Sequence, residues 1–170
     1  MKKAGFKMGD AVFYPAAGVG IIEAMEDIYI NGQWEQCFVI RICDNQAVIR
    51  IPQSNIQKNG IRPLLQGKRL KELFKVLSAK PMHRGTGNWA ERYKDLERKI
   101  NGGSCLELGE VVRDLTRWKQ EKSLSFEEAR LLQTASNYLA HEIAAIQGIP
   151  PEIAFDRIRT HIESRVIGTF

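Results

Sequence analysis

The chain reads as an α+β protein: a small bent β-sheet domain over residues 1–66, a connecting helix over 67–79, and an all-α domain over 80–170. Two observations predict this. Apolar residues recur with a period of two up to about Pro63 and with helical spacing after it. The punctuation changes with the period, from hairpin-turn residues in the first part to helix-capping residues in the second.

The first part contains four short runs rich in Val, Ile, Tyr and Phe: GDAVFYP, GIIEAMEDIYI, WEQCFVIRIC and QAVIRIP. Turn residues bound each run, at Pro15 to Gly18, Asn31-Gly32 and Asp44-Asn45. Asn-Gly accepts φ > 0 in a tight turn, so the second and third runs are expected to form a hairpin. Phe38, Ile40 and Ile42 alternate with Cys37, Val39 and Arg41, which separates two faces. Several strands in about 55 residues imply a small, strongly bent sheet or barrel.

Beyond Pro63, Leu70, Leu73, Phe74 and Leu77 follow helical spacing and predict an amphipathic helix of about three turns. From Asn88 onward the chain reads as helical. Asn88 with Glu91, Ser104 with Glu107 and Ser125 with Glu128 are three capping-box patterns. Gly102-Gly103 and Gly148 mark helix ends, and Pro150-Pro151 opens the last helix. The apolar stripes are Leu108, Val111, Val112 and Leu115; Leu132, Ala135, Leu139, Ile143 and Ile146; and Ala154, Ile158, Ile162 and Val166.

Composition restricts the class. With 170 residues, 44% of them hydrophobic and 26% charged, the chain can bury a core without disulfide staples. Three cysteines, Cys37, Cys43 and Cys105, form no C-x-x-C pair and suit a reducing compartment. No apolar run serves as a signal peptide, and none reaches the roughly 18 residues of a spanning helix. A cytoplasmic protein without membrane association is expected. The net charge is +5, with 12 Lys/Arg against 7 Asp/Glu in residues 1–80 and 13 against 13 in residues 81–170. The basic excess therefore falls in the first half, which suits an acidic protein surface at least as well as nucleic acid.

Catalytic signatures do not emerge. There is no G-x-S-x-G, H-E-x-x-H, P-loop or paired-cysteine zinc motif. His83, His141 and His161 are scattered, so no metal or other cofactor is expected, and an enzyme is not. Gly18-x-Gly20 precedes a strand-like run rather than a helix, so it is read as a bend between strands and not a dinucleotide fingerprint. Cys37 and Cys43 read as small core hydrophobes, with nothing nearby to lower a thiol pKa.

One segment carries functional character. In MHRGTGNWAERYKDLERK a Gly-rich loop runs into a capped helix start. Loop amides, the helix N-terminus, His83 and Arg84 could seat a phosphate. Arg92, Lys94, Arg98 and Lys99 follow, partly offset by Glu91, Asp95 and Glu97. Trp89, Tyr93, Leu96 and Ile100 also have the spacing of a core stripe, so Trp89 reads either as buried or as an exposed ring at a helix start.

The stretches KMGDAVFYPAAGVGIIEA, VIRIP, NWAERYKDLERKI, EVVRDL and LSFEEARLLQTASNYLAHEIA together resemble the CarD/CdnL family of bacterial transcription regulators, which bind RNA polymerase. The resemblance implies a Tudor-like sheet domain that docks on the β-subunit lobe of RNA polymerase. It also implies a helical domain lying against promoter DNA at the upstream edge of the transcription bubble. Trp89 corresponds to the family's tryptophan, which wedges into the minor groove without reading sequence and favours the open complex; rings inserted between bases hold distorted DNA. Arg50 in VIRIP, beside Pro52, matches the polymerase-contacting arginine, and a second such position falls on Ile28. Asn88, Trp89, Arg92 and Lys94, with Arg84 before them and Arg130 later, fall in the DNA-facing stretches. The chain departs from the family at Ile28 and Glu91, where arginines are expected, and at Ala129, where a lysine is expected. The implied division of labour is recruitment by the sheet domain and conformational bias by Trp89, in a protein for which nothing demands a dimer. The rival reading is a polymerase-bound adaptor without a productive DNA contact.

Overall fold

The computed structural model describes residues 5–84, 88–102 and 104–167, with side chains through Ser164. Gly103, Val166 and the glycines of the 85–87 loop, all invoked above, lie outside the described residues or side chains. The chain divides into two compact units, Met1–Leu64 and Leu65–Phe170.

The first unit is an antiparallel sheet of β1 (Ala11–Tyr14), β2 (Gly18–Ile30), β3 (Gln33–Ile42), β4 (Val48–Pro52) and β5 (Arg62–Pro63), in the order β4-β3-β2-β1-β5. It is consistent with the Tudor-like sheet that the family resemblance implies. The β2–β3 hairpin closes on Asn31 and Gly32, both left-handed with φ of 51° and 79°. That geometry matches the twist of the flanking strands. A register shift between Ile22 and Ala24 bends the long hairpin. Val12, Ile22, Phe38, Ile40, Ile42 and Ile51 form the core of one face, with Ile56 and Ile61 packed among them. The other face of β3 is not simply solvated. Val39 lies between Ala24 and Arg50, and Cys37 between Glu26 and Pro52; both are buried by these cross-strand neighbours. Burial raises the thiol pKa of Cys37, and that of Cys43 just past the strand, so neither is activated.

The second unit comprises α1 (Leu70–Ser78), α2 (Trp89–Gly102), α3 (Cys105–Glu121), α4 (Phe126–Gln147) and α5 (Pro151–Ile167). Helix α3 packs against the other four and contributes Leu108, Val111, Val112, Leu115 and Trp118 to the core. Helix α1 buries Leu70, Leu73 and Leu77 against α3 and α5, so it is an integral helix of this unit. Its Phe74 stacks on His161 of α5 with ring centroids 4.2 Å apart. Gly148 in the left-handed conformation stops α4, and Pro151 opens α5. Of the three capping patterns, Ser125–Glu128 forms the full reciprocal box. Ser104 accepts from the Glu107 amide, while the Glu107 carboxylate pairs with Arg98 instead. Asn88 Oδ1 accepts from the Ala90 amide, one residue earlier than the box requires.

The location of α1 corrects the reading of charge. By unit, Met1–Leu64 holds 7 Lys/Arg against 6 Asp/Glu, and Leu65–Phe170 holds 18 against 14. The excess at residues 65–80, five Lys/Arg against one Glu, belongs to the helical unit. The basic excess of the first half therefore lies mainly outside the sheet unit.

Gly20 marks the tightest approach in the sheet. A Cβ there would sit 2.5 Å from Ile40 Cγ2 and 3.2 Å from the Arg41 carbonyl oxygen. Gly20→Ala is expected to destabilise the sheet unit by about 1–3 kcal/mol through overpacking. Chemical denaturation of the full chain should show an earlier sheet transition and an unchanged helical one; a wild-type sheet transition would refute the packing constraint.

Candidate partner-binding surfaces

Strand alternation in the first unit gathers Ile28, Arg50 and Pro52 on one face. Ile28 stands opposite Glu35, Pro52 opposite Cys37, and Arg50 opposite Val39. Arg50 is exposed, and its Nε lies 3.3 Å from Glu26 Oε2, with both side chains about half exposed. Such a pair is worth little by itself and leaves most of the guanidinium available. Glu35 accepts from the Ser54 hydroxyl and amide, which hold its carboxyl below the usual range. The result is a patch with two cations, Arg41 paired with Glu23 and Arg50 with Glu26, the Glu35 carboxylate, and an apolar floor of Cys37 and Val39.

The second surface is built on the start of α2. Trp89 is 44% exposed, and its ring stacks on Tyr93 with centroids 5.5 Å apart and planes at 24°. Burial first, then the nearby Glu97 carboxylate, raises the Tyr93 pKa. The contrast with Trp118 is direct: it is 5% exposed, and its Nε1 donates to the Met82 carbonyl at 2.8 Å. The stripe of Trp89, Tyr93, Leu96 and Ile100 is buried only at Leu96 and Ile100. Its first turn projects past the core.

What aims that turn is an ion cluster at the start of α4. Glu128, 2% exposed, receives Arg84 Nη2 at 3.1 Å and Arg92 Nε at 3.5 Å. Arg84 also donates to the Lys122 and Ser123 carbonyls at the end of α3, and Arg92 donates to the Arg84 carbonyl. Upstream, the Met82 amide donates to Asp114, whose carboxylate also holds the buried Arg113. The 80–87 segment is therefore fixed as far as Arg84. Burial pushes the Glu128 carboxyl upward, but the Ser125 amide and hydroxyl, with the Arg84 and Arg92 charges, outweigh it and hold the group below its ordinary value.

The remaining residues singled out from the sequence are distributed as follows. Asn88, Lys94 and Arg130 are exposed, as are Glu91 and Ala129 at the two departures. Arg98 pairs with Asp95 and Glu107, and Lys99 with Asp95 and Glu110. Arg130 lies 6.0 Å from the ring centroid of Phe126, which is exposed at the first turn of α4. Sequence reasoning missed Tyr93 as a ring support, Phe126 as an exposed ring, and Glu128 as a hub. Only Glu128 carried a signal, its cap with Ser125, and that signal is local. His83, Arg84, Asn88, Arg92 and Lys99 share an open cavity of about 330 Å³ with Glu91, Asp95 and Asp114, so the suggested phosphate seat is charged with both signs. Among the described residues no group of three or more His, Cys, Asp or Glu side chains could hold a metal ion, and no helix is long and apolar enough to cross a membrane.

These features define a two-unit α+β protein that presents large, chemically distinct side chains on rigid elements. The chain belongs to the CarD family. Residues 6–65 match the CarD-like/TRCF RID domain, and residues 72–159 match the CarD C-terminal domain. It is 37% identical over 144 residues to a Bacillus subtilis (strain 168) protein named "Putative transcription factor YdeB", covering 85% of this chain and 94% of that one.

Glu128→Ala leaves two guanidiniums, 22% and 19% exposed, without their anion. The expected loss is about 2–3 kcal/mol, below the range for fully buried pairs because water reaches both cations. The folded pKa of Glu128 lies below its unfolded value, so its stabilisation is complete above about pH 4.5 and fades as pH falls through the folded value. Denaturation of wild type and variant from pH 7 to pH 3 should show the gap narrowing; a constant gap would exclude the ion cluster as its source.

Proposed function

We propose that this protein is a non-enzymatic transcription regulator that binds the β-subunit lobe of RNA polymerase through its sheet unit and stabilises the open promoter complex through Trp89. The observation that carries this reading is the exposure of Trp89 on a stacked Tyr93, at a helix start held by buried ion pairs. A rigid ring that retains half its face can enter the minor groove at a distorted step without first leaving a core. Lys94 and Arg130 are the cations best placed to meet phosphates, since each is exposed and neither is in an ion pair among the described residues. Arg84 and Arg92 act mainly by positioning the α2 start, because Glu128 neutralises part of their charge. Their phosphate contacts would be weak and salt-sensitive.

In the sheet unit, Arg50 supplies the charge for an acidic polymerase surface, with Pro52 and Ile28 as its apolar neighbours. Anchoring raises the local concentration of promoter DNA, so a weak contact by the helical unit becomes effective. The unit's own +4 balance assists it.

Trp89→Ala should leave polymerase binding unchanged and shorten the open-complex lifetime roughly tenfold or more, the scale of one lost ring contact. Arg50→Glu should abolish polymerase capture with the fold intact. An unchanged lifetime in Trp89→Ala would overturn the wedge role.

A second reading, an adaptor on polymerase without productive DNA contact, is favoured by the Glu128 pairing of Arg84 and Arg92 and by Glu91 and Ala129 at exposed positions. A photocrosslinker at position 94 in the polymerase–promoter complex separates the two. Crosslinks to DNA support the wedge, and crosslinks to protein alone support the adaptor.

A further inference from the structure

The β2–β3 hairpin has a second face that the polymerase-binding proposal does not use. Alternation places Glu26 and Ile28 on the Arg50 face and Met25, Asp27 and Tyr29 on the opposite one, where they meet Phe38, Gln36 and Trp34 of β3. Toward the turn this face leaves the core and becomes exposed. Tyr29 is 63% and Trp34 73% exposed, and the two rings meet edge to face with centroids 5.5 Å apart at 62°. The left-handed pair Asn31 and Gly32 closes the hairpin immediately beyond them, which sets the register and hence the ring pair.

Between residues 18 and 40 of the hairpin every charged side chain is acidic. Residues 8–40 contain Asp10, Glu23, Glu26, Asp27 and Glu35 and no Lys or Arg. Glu23 is engaged by Arg41, Glu26 by Arg50, Glu35 by the Ser54 amide and Asp10 by the Lys7 amide. The Asp27 carboxylate, which shares the face of the two rings, makes no hydrogen bond or ion pair among the described residues. Two exposed rings beside an available carboxylate attract a cation that can also stack, and a guanidinium does both. Residues 18–40 of the hairpin offer no cation to a phosphate backbone.

We propose that the Asp27, Tyr29 and Trp34 face of the hairpin is a docking surface for an arginine-bearing segment of a partner protein, separate from the Arg50 face. An arginine plane lies on the indole and its guanidinium reaches Asp27, while Met25 at the inner edge accepts the neighbouring aliphatic carbons. The two faces of one sheet could then hold two partners at once.

Nitrogen-15 NMR of the 170-residue chain tests this at the Trp34 indole and the Asp27 amide. The probes are a short alternating Arg-Gly peptide, its Lys-Gly counterpart, a single-stranded oligothymidylate, and the protein's own concentration. The Arg peptide should shift both signals saturably, bind several-fold more tightly than the Lys peptide, and lose about tenfold affinity in Trp34→Ala and in Asp27→Asn. Both substitutions are at exposed positions, and unchanged signals from Phe38 and Ile40 verify the fold. Binding that survives both variants would overturn the proposal. So would a Trp34 shift caused by the oligonucleotide or by protein concentration alone, the latter identifying a second copy as the occupant.

Discussion

A carboxylate withdrawn from water at the start of α4 organises the presenting end of the helical unit. Glu128 is reached by arginines from two other places, the segment before α2 and the first turns of α2 itself. A buried ion cluster of this kind gives little net stability over an apolar alternative, but removing one member is costly, so it acts as a geometric constraint. Arg84 extends the constraint to the carbonyls that end α3. Three helix termini are thereby held at one point, and the turn carrying Trp89 is aimed outward. Tyr93 stacks on the indole and supports it.

The sheet unit uses a different constraint to the same end. Its strict alternation, broken once at the register shift after Ile22, allows the β2–β3 ladder to display two chemically different faces. The Arg50 face is charged in both signs over a floor of Cys37 and Val39, and the Tyr29–Trp34 face is aromatic and acidic. A one-residue slip would exchange them. The left-handed Asn31-Gly32 turn is what prevents the slip.

Much of this was legible in the sequence where the signal was local. Asn31-Gly32, Ser125 with Glu128, Gly148 and Pro151 each encode a backbone geometry within four residues, and each occurs as expected. The face shared by Ile28, Arg50 and Pro52 follows from strand parity once the pairing is known. What stayed hidden was set by tertiary placement. Helical spacing places Trp89 and Leu96 on one stripe, but only packing decides that the core ends between them. An amphipathic helix does not disclose which neighbour it covers, so spacing alone leaves α1 a connecting helix. The partners of Glu128 lie 36 and 44 residues away, a separation that no capping pattern encodes.

The dependence of the Trp89 surface on the Glu128 cluster can be observed through the indole itself. The nitrogen-15 indole signal of Trp89 should be sharp in the wild-type protein and should move and broaden in Glu128→Gln, with the Trp118 signal unchanged and open-complex stabilisation reduced although both rings are retained. A Trp89 signal indifferent to Glu128→Gln would mean that the ring is held by α2 alone, and that the ion cluster does not present it.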